Sequence, residues 1–261
     1  MSPGYRKNNK VKRSALTGIW QHFLDAHPEY LARHYWWAYL WRFGVWFFDH
    51  QPIINAILFG QYQTLKTQAL RACMTNRPKG RLLQLTCVYG SLTPSLMKSL
   101  KDDELYLMDV ADVQLGATRQ KLGDKEKSRL LAARMNAEYL AYSNDAFSTV
   151  LLFFLLHELP PAAREHTLDE TLRVLQPGGR LVITEYGQYP RQHFLCRWWP
   201  IRILLLHLEP FLGNFWRQDL FAVLRRHAKT YNKTLRQVDE FHCFSHFYRV
   251  CVFEVEGPDD R

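Results

Sequence analysis

Much of what common catalytic classes require is missing from these 261 residues. The five cysteines, Cys73, Cys87, Cys196, Cys243 and Cys251, include no CxxC pair, which argues against a zinc ribbon or a disulfide framework and makes a reducing compartment the default. No HExxH register appears among the histidines, Ser91 does not sit in a GxSxG elbow, and no P-loop lysine follows Gly90, so metalloprotease, hydrolase and NTPase readings fail. No stretch reaches the roughly 18 uncharged apolar residues of a membrane-spanning helix. Arg33, Arg42 and Asp49 interrupt one candidate, and Arg202, His207 and Glu209 interrupt the other. Internal repeats and low-complexity tracts are also lacking. Glycine is scarce in the one loop where it matters most. The segment Arg81-Leu-Leu-Gln-Leu-Thr-Cys-Val-Tyr-Gly-Ser-Leu-Thr93 reads as a buried strand entering a turn and then a helix, yet Val88-Tyr89 stand where a glycine pair is expected and only Gly90 remains.

What is present is a basic chain, net charge +9, with ample apolar residues for one main domain plus an extension. Residues 1–18 read as a solvated basic arm carrying Arg6, Lys7, Lys10, Lys12 and Arg13. Residues 19–78 are crowded with aromatics, among them Trp36, Trp37, Tyr39, Trp41, Trp46 and Phe48 at helical spacing. Two helices interrupted near Pro52 are expected there, serving either as a lid on the core or as an interfacial membrane platform. Residues 79–261 carry the strand pattern of a doubly wound sheet. Strands are expected at 82–85, at Leu105–Asp109, within 128–136, at Thr149–Leu156 and at Arg180–Thr184, followed by a terminal antiparallel pair between Thr234 and Glu256 with a turn near Ser245. Thr93 is the expected cap of the helix after the loop, and Gln176-Pro-Gly-Gly179 is expected to end the helix begun at Pro160-Pro161. A hydrophobic insertion, 189–216, follows strand five.

A strand-loop-helix start, an acid closing strand two, a polar end to strand four and a Pro-Gly-Gly turn before strand five together suggest a class I methyltransferase-like, Rossmann-like α/β fold binding S-adenosylmethionine. Thr86, Val88, Tyr89 and Gly90 would approach the cofactor, Asp109 with Val110 its ribose, and Asn136-Ala137 its adenine edge. Asp109 has a plain alternative as a cap of the next helix.

Leu85-Thr-Cys-Val-Tyr-Gly-Ser-Leu-Thr-Pro94, Met108-Asp-Val110, Leu151-Leu-Phe-Phe-Leu-Leu-His-Glu158 and Leu172-Arg-Val-Leu-Gln-Pro-Gly-Gly179 resemble the rhodoquinone biosynthesis protein RquA family across roughly residues 30 to 255. The resemblance implies conversion of ubiquinone to rhodoquinone, with S-adenosylmethionine donating an amino group that replaces a ring methoxy and with a divalent metal, preferably manganese, assisting. On that basis His157 and Glu158 become candidate metal or proton-handling groups, Glu185 a second carboxylate, and Tyr89 a residue that repositions the cofactor. The alternatives are a hydrogen-bonded helix entry for His157-Glu158 and a packed aromatic for Tyr89. A polyprenyl quinone substrate implies a peripheral enzyme at the cytoplasmic face of the inner membrane or its mitochondrial equivalent. An ordinary methyltransferase acting on a quinone or another lipid is the nearest alternative, and a catalytically dead cofactor-binding protein a further one. Nucleic acid is not the expected partner, because the aromatics lie among Leu and Ile with few lysines.

Overall fold

The computed structural model describes residues 27–188 and 193–256. The basic arm and the first part of the aromatic segment lie outside them. Seven strands form one sheet in the order β3-β2-β1-β4-β5-β7-β6. They are β1 Leu82–Leu85, β2 Leu105–Asp109, β3 Leu130–Arg134, β4 Phe147–Phe153, β5 Leu175–Tyr186, β6 Leu235–Cys243 and β7 Tyr248–Val255. The first five run parallel, and β7 pairs antiparallel with both β5 and β6. Every residue of β1 and β4 is buried, which is why these strands read as unbroken apolar runs rather than as alternation. The strand order reverses between β1 and β4, and such a switch point opens a crevice at the carboxyl ends of the strands.

The aromatic segment is more broken than the spacing suggests. In place of two helices there are α1 Glu29–His34, a π-turn at Trp36–Leu40, α2 Arg42–Phe48 and α3 Gln51–Ile57, with α4 Tyr62–Met74 beyond them. Pro52 falls in the first turn of α3, where its missing N–H is harmless, so it starts a helix. Val45, Ile54, Leu58, Tyr62 and Leu65 join the same core as the sheet.

Between β1 and β2 runs α5 Leu92–Ser99, whose N-cap position is Ser91 and not Thr93, with no side-chain capping bond. Thr93 is instead fully buried and hydrogen-bonded to Gln84 of β1. α6 Asp112–Gln120 and α7 Asp124–Lys127 precede β3, and α8 Pro161–Val174 precedes β5. The Gln176–Gly179 stretch lies inside β5, as an irregularity where the β4 register jumps from Phe147↔Leu175 to Thr149↔Arg180. The insertion forms α9 Phe194–Arg197, α10 Trp199–Leu208 and α11 Leu212–Phe215, and α12 Leu220–Thr230 leads to β6. No helix among the described residues is long and apolar enough to cross a membrane.

Candidate functional site

The altered loop is shaped from beneath and clamped from above. Gln84, buried in β1, donates to the Thr86 carbonyl at 2.9 Å and pairs with Thr93, tying the turn to α5. Thr86 is held with φ 71° while its N–H bonds the Met108 carbonyl at 2.9 Å. A β-branched residue avoids that conformation, and strain of this kind clusters at ligand sites. Gly90, φ 75°, leaves no space for a side chain, since a Cβ there would lie 2.6 Å from the Tyr62 hydroxyl. That hydroxyl donates to the Tyr89 carbonyl at 3.0 Å and accepts from the Ser91 N–H at 2.7 Å. The Gly90 N–H donates to Asp49 at 2.8 Å, and Lys121 bonds both Asp49 and the Gly90 carbonyl. Side chains from the aromatic segment and α4 thus take over part of the job of fixing this loop.

Tyr89 is a packed residue. Its ring stacks on Tyr39 with centroids 5.5 Å apart, and its hydroxyl donates to the Ala38 carbonyl and accepts from Gln114. One edge of it also faces the cavity described below.

Asp109 closes β2 as the sequence indicates. Its Oδ2 accepts the Cys87 N–H at 2.7 Å and its Oδ1 the Ala111 N–H at 2.8 Å, so it spans the gap between the loop and the next helix. Burial pushes its carboxyl up, these N–H bonds pull it back, and the balance lies at about 6. Each oxygen keeps a lone pair for a further donor, so the capping role and a ligand role are compatible.

β4 stops at Phe153, three residues short of the expected Leu156. Phe154 adopts φ 54°, and Leu156–Glu158 form a 3-10 turn. His157 and Glu158 therefore belong to that turn instead of closing the strand. The turn is organised by Glu185, which accepts from the Leu156 N–H at 2.7 Å and from the His157 N–H at 3.3 Å. The His157 ring contacts the same carboxylate through Nδ1 at 2.9 Å and points Nε2 toward Glu209 at 3.7 Å. Burial alone lowers the imidazole's pKa, but Glu185, joined by Glu209 and Glu158, outweighs it and pushes His157 up to about 9. Glu158 is driven above the usual carboxylate range by burial and by Glu209, against the pull of His157 and the Tyr39 hydroxyl bonded to it. Glu209 is raised likewise by burial and accepts from Tyr35 at 3.1 Å. The cluster sets an imidazole whose proton is held by its carboxylate neighbours among carboxyls that burial pushes up.

One cavity joins these parts. Thr86, Val88, Tyr89, Asp109, Val110, Asn136, Ala137, His157 and Glu158 all line it, whereas Gly90 and Glu185 stand behind the wall. Sequence reasoning missed Cys87, Tyr30, Tyr39 and Glu209, which also line it. Glu209 lies 52 positions from His157 in an apolar stretch, where a lone acid was the available signal.

The expected metal fits poorly. Both ring nitrogens of His157 are turned to carboxylates, Glu158 accepts from Tyr39, and among the described residues no three His, Cys, Asp or Glu are placed to hold an ion.

Comparison with known proteins places the fold and the lineage. The N-methyltransferase NodS from Bradyrhizobium japonicum, solved with S-adenosyl-l-homocysteine, superposes at TM-score 0.53 with 18% identity, covering 80% of this chain and 91% of that one. An O-methyltransferase family protein from Burkholderia thailandensis gives 0.56 at 12% identity, covering 85% of this chain and 64% of that one. At such identities the likeness is one of fold, class I methyltransferase. A demethylmenaquinone methyltransferase of Lactiplantibacillus plantarum is 27% identical over 190 residues, 71% of this chain and 78% of that protein. The ubiquinone/menaquinone biosynthesis C-methyltransferase UbiE of Vibrio parahaemolyticus is 28% identical over 138 residues, and the match spans about half of each chain, 52%. Residues 49–233, from the end of α2 into β6's approach, match the family described as ubiE/COQ5 methyltransferase, and the chain belongs to that family.

Proposed function

We propose that the cavity holds S-adenosylmethionine beside the ring of a lipid quinone, and that the chain transfers the cofactor's amino group to ubiquinone in place of a ring methoxy. The observation that carries this is the line of contacts Tyr89–Tyr39–Glu158, which couples the rebuilt loop directly to the buried acid cluster. A glycine at position 89 would have no side chain to form that link. The relatives named for quinone methylation and the resemblance to the rhodoquinone family support the quinone as substrate.

Asp109 would hold the ribose hydroxyls, Asn136 and Ala137 the adenine edge, and the Thr86–Tyr89 backbone the amino-acid end. The bound cofactor supplies both an amino group and an activated methyl group, and the protein decides which faces the quinone. The amine would attack the ring only after losing its proton, and the displaced methoxy would leave as methanol on gaining one. The quinone ring would then take up the electron pair of the Cα–H bond to give a hydroquinone imine, and water would break the Cα–N bond to the cofactor by hydrolysing that imine to the aminohydroquinone and the 2-oxo acid of the cofactor. Glu158, Glu209 and His157 are charged with that traffic, and Tyr39 holds one Glu158 oxygen in place. No step is routed through a metal, because both ring nitrogens of His157 are turned to carboxylates and one Glu158 oxygen accepts from Tyr39.

The test uses the purified full chain, ubiquinone in detergent, and S-adenosylmethionine labelled with heavy nitrogen in its amino group and heavy carbon in its methyl. Product that carries the nitrogen label and lacks one methoxy is expected, with or without chelator. A product carrying the methyl label alone, from ubiquinone or from demethylmenaquinone, replaces the amino reading with C-methylation. Turnover that chelator abolishes and manganese restores overturns the metal-free assignment.

A further inference from the structure

The two exposed aromatic segments, far apart in sequence, meet in space. Trp41, Phe43, Trp46 and Phe47 protrude from the α2 region, and Phe194, Trp198, Trp199, Ile203 and Leu204 from α9 and α10. Between them runs a bridge of rings. Phe59, just after α3, stacks on Phe244 of the β6–β7 turn at 5.6 Å, and Phe244 meets Phe194 edge-on at 5.8 Å. Phe59 and Phe194, at the two ends of this bridge, are themselves exposed, and Phe244 between them is half-buried.

We propose that this composite surface is a docking face for an anionic lipid bilayer, with the quinone passing between bilayer and cavity beside Ile57. The proposal deepens the functional reading and rests on it for the identity of the cargo. Charge selects the occupant. Residues 193–208 contain no acid, and the one acid of residues 41–60, Asp49, is turned inward onto Lys121 and Gly90. Arg42, Arg197 and His207 are exposed on the same segments. Exposed indoles on segments that carry Arg and no outward acid suit the headgroup layer of an anionic membrane, where an aromatic ring sits at the boundary and Arg meets phosphate. The helices involved, α2, α3 and α10, are seven, seven and ten residues long, too short to span and long enough to lie flat. Ile57 is 45% exposed and also lines the cavity wall with Ile54 and Leu58. An apolar threshold of this kind lets a prenyl tail stay in lipid while the ring reaches Glu158.

The test is flotation of the full chain, without substrate, on phosphatidylcholine vesicles and on vesicles with added phosphatidylglycerol, at low and high salt. Wild type should float with the anionic vesicles and lose most of that binding in high salt. Trp46→Ser and Trp199→Ser, at indoles 58% and 63% exposed, should each weaken binding about tenfold with thermal unfolding unchanged. Both patches must contribute. A protein that stays in solution at low salt overturns the proposal, as does loss confined to one variant. So does a dimer, seen by sedimentation, that both variants dissociate, since the face would then belong to a second copy. The two readings are separated by a water-soluble, short-tailed quinone: if it is aminated equally by wild type and both variants while flotation fails, only the docking face is wrong, and if it is never aminated, the functional reading fails on its own.

Discussion

Replacing Glu185 by Gln keeps the shape of the buried turn and removes its charge. In the native protein the imidazole of His157 rises from its ordinary 6.5 to about 9, burial opposing and Glu185 driving the change. That rise corresponds to about 3 kcal/mol of interaction between imidazolium and its surroundings. Because the folded value lies above the unfolded one, the contribution is complete below about pH 6.5 and is lost as pH rises through about 9. In Glu185→Gln burial is opposed only by Glu209 and Glu158, and most of the contribution is lost. The variant should therefore melt about 6–12 °C lower than wild type at pH 6, taking 2–4 °C per kcal/mol for a chain of this size, and the gap should narrow by most of that amount at pH 9.5. Differential scanning fluorimetry across pH 5.5–9.5 measures it. Glu158 also binds its proton more tightly in the folded state and also lowers stability as pH rises; in the variant, loss of the Glu185 charge lowers that proton affinity and loss of the imidazolium raises it, so its two changes oppose each other in the difference. Melting curves of the two proteins that run parallel over the whole range would show that His157 and Glu185 are not a charged pair, and the proposed proton traffic would lose its imidazolium.

Gly90→Ala should destabilise the protein by about 1–3 kcal/mol and weaken S-adenosylmethionine binding, because the new Cβ meets the Tyr62 hydroxyl in a backbone conformation that suits glycine; chemical denaturation and calorimetry report the two effects. Asp109→Asn leaves only one acceptor oxygen for the Cys87 and Ala111 amides, and cofactor affinity should fall about tenfold or more. With wild type, cofactor affinity should decline as pH drops through about 6, where Asp109 gains a proton; a flat calorimetric profile from pH 5 to 8 would remove Asp109 from the ribose site. Tyr39→Phe deletes the hydroxyl that lowers the proton affinity of Glu158, so the alkaline limb of the pH–rate profile should move upward; a profile that holds its position while the rate falls would limit Tyr39 to packing.

Much of the fold was present in local pattern. The buried strands announce themselves as apolar runs because both faces of a parallel sheet are covered, and β2 falls at Leu105–Asp109 as the run indicates. The terminal antiparallel pair is as legible, with Phe244, Ser245 and His246 turning at positive φ around the expected position. Nine of the eleven candidate site residues line the cavity, since loop and strand ends converge there in this architecture.

Pattern fails where the cause is remote. Leu155 and Leu156 continue an apolar run, and nothing local stops the strand at Phe153; Glu185, from the next strand, draws the chain into a 3-10 turn by accepting its amides. The helical spacing of residues 29–57 is real, yet packing over the loop breaks it into short pieces. By itself the sequence determined the sheet, the loop after β1 and the acid that closes β2, because those depend on neighbours a few residues away. Tertiary structure alone decided that Tyr89 leans on Tyr39, that Glu209 joins His157, and that Phe59 reaches Phe194 through Phe244, because each is a contact between segments whose sequences carry no record of the distance between them.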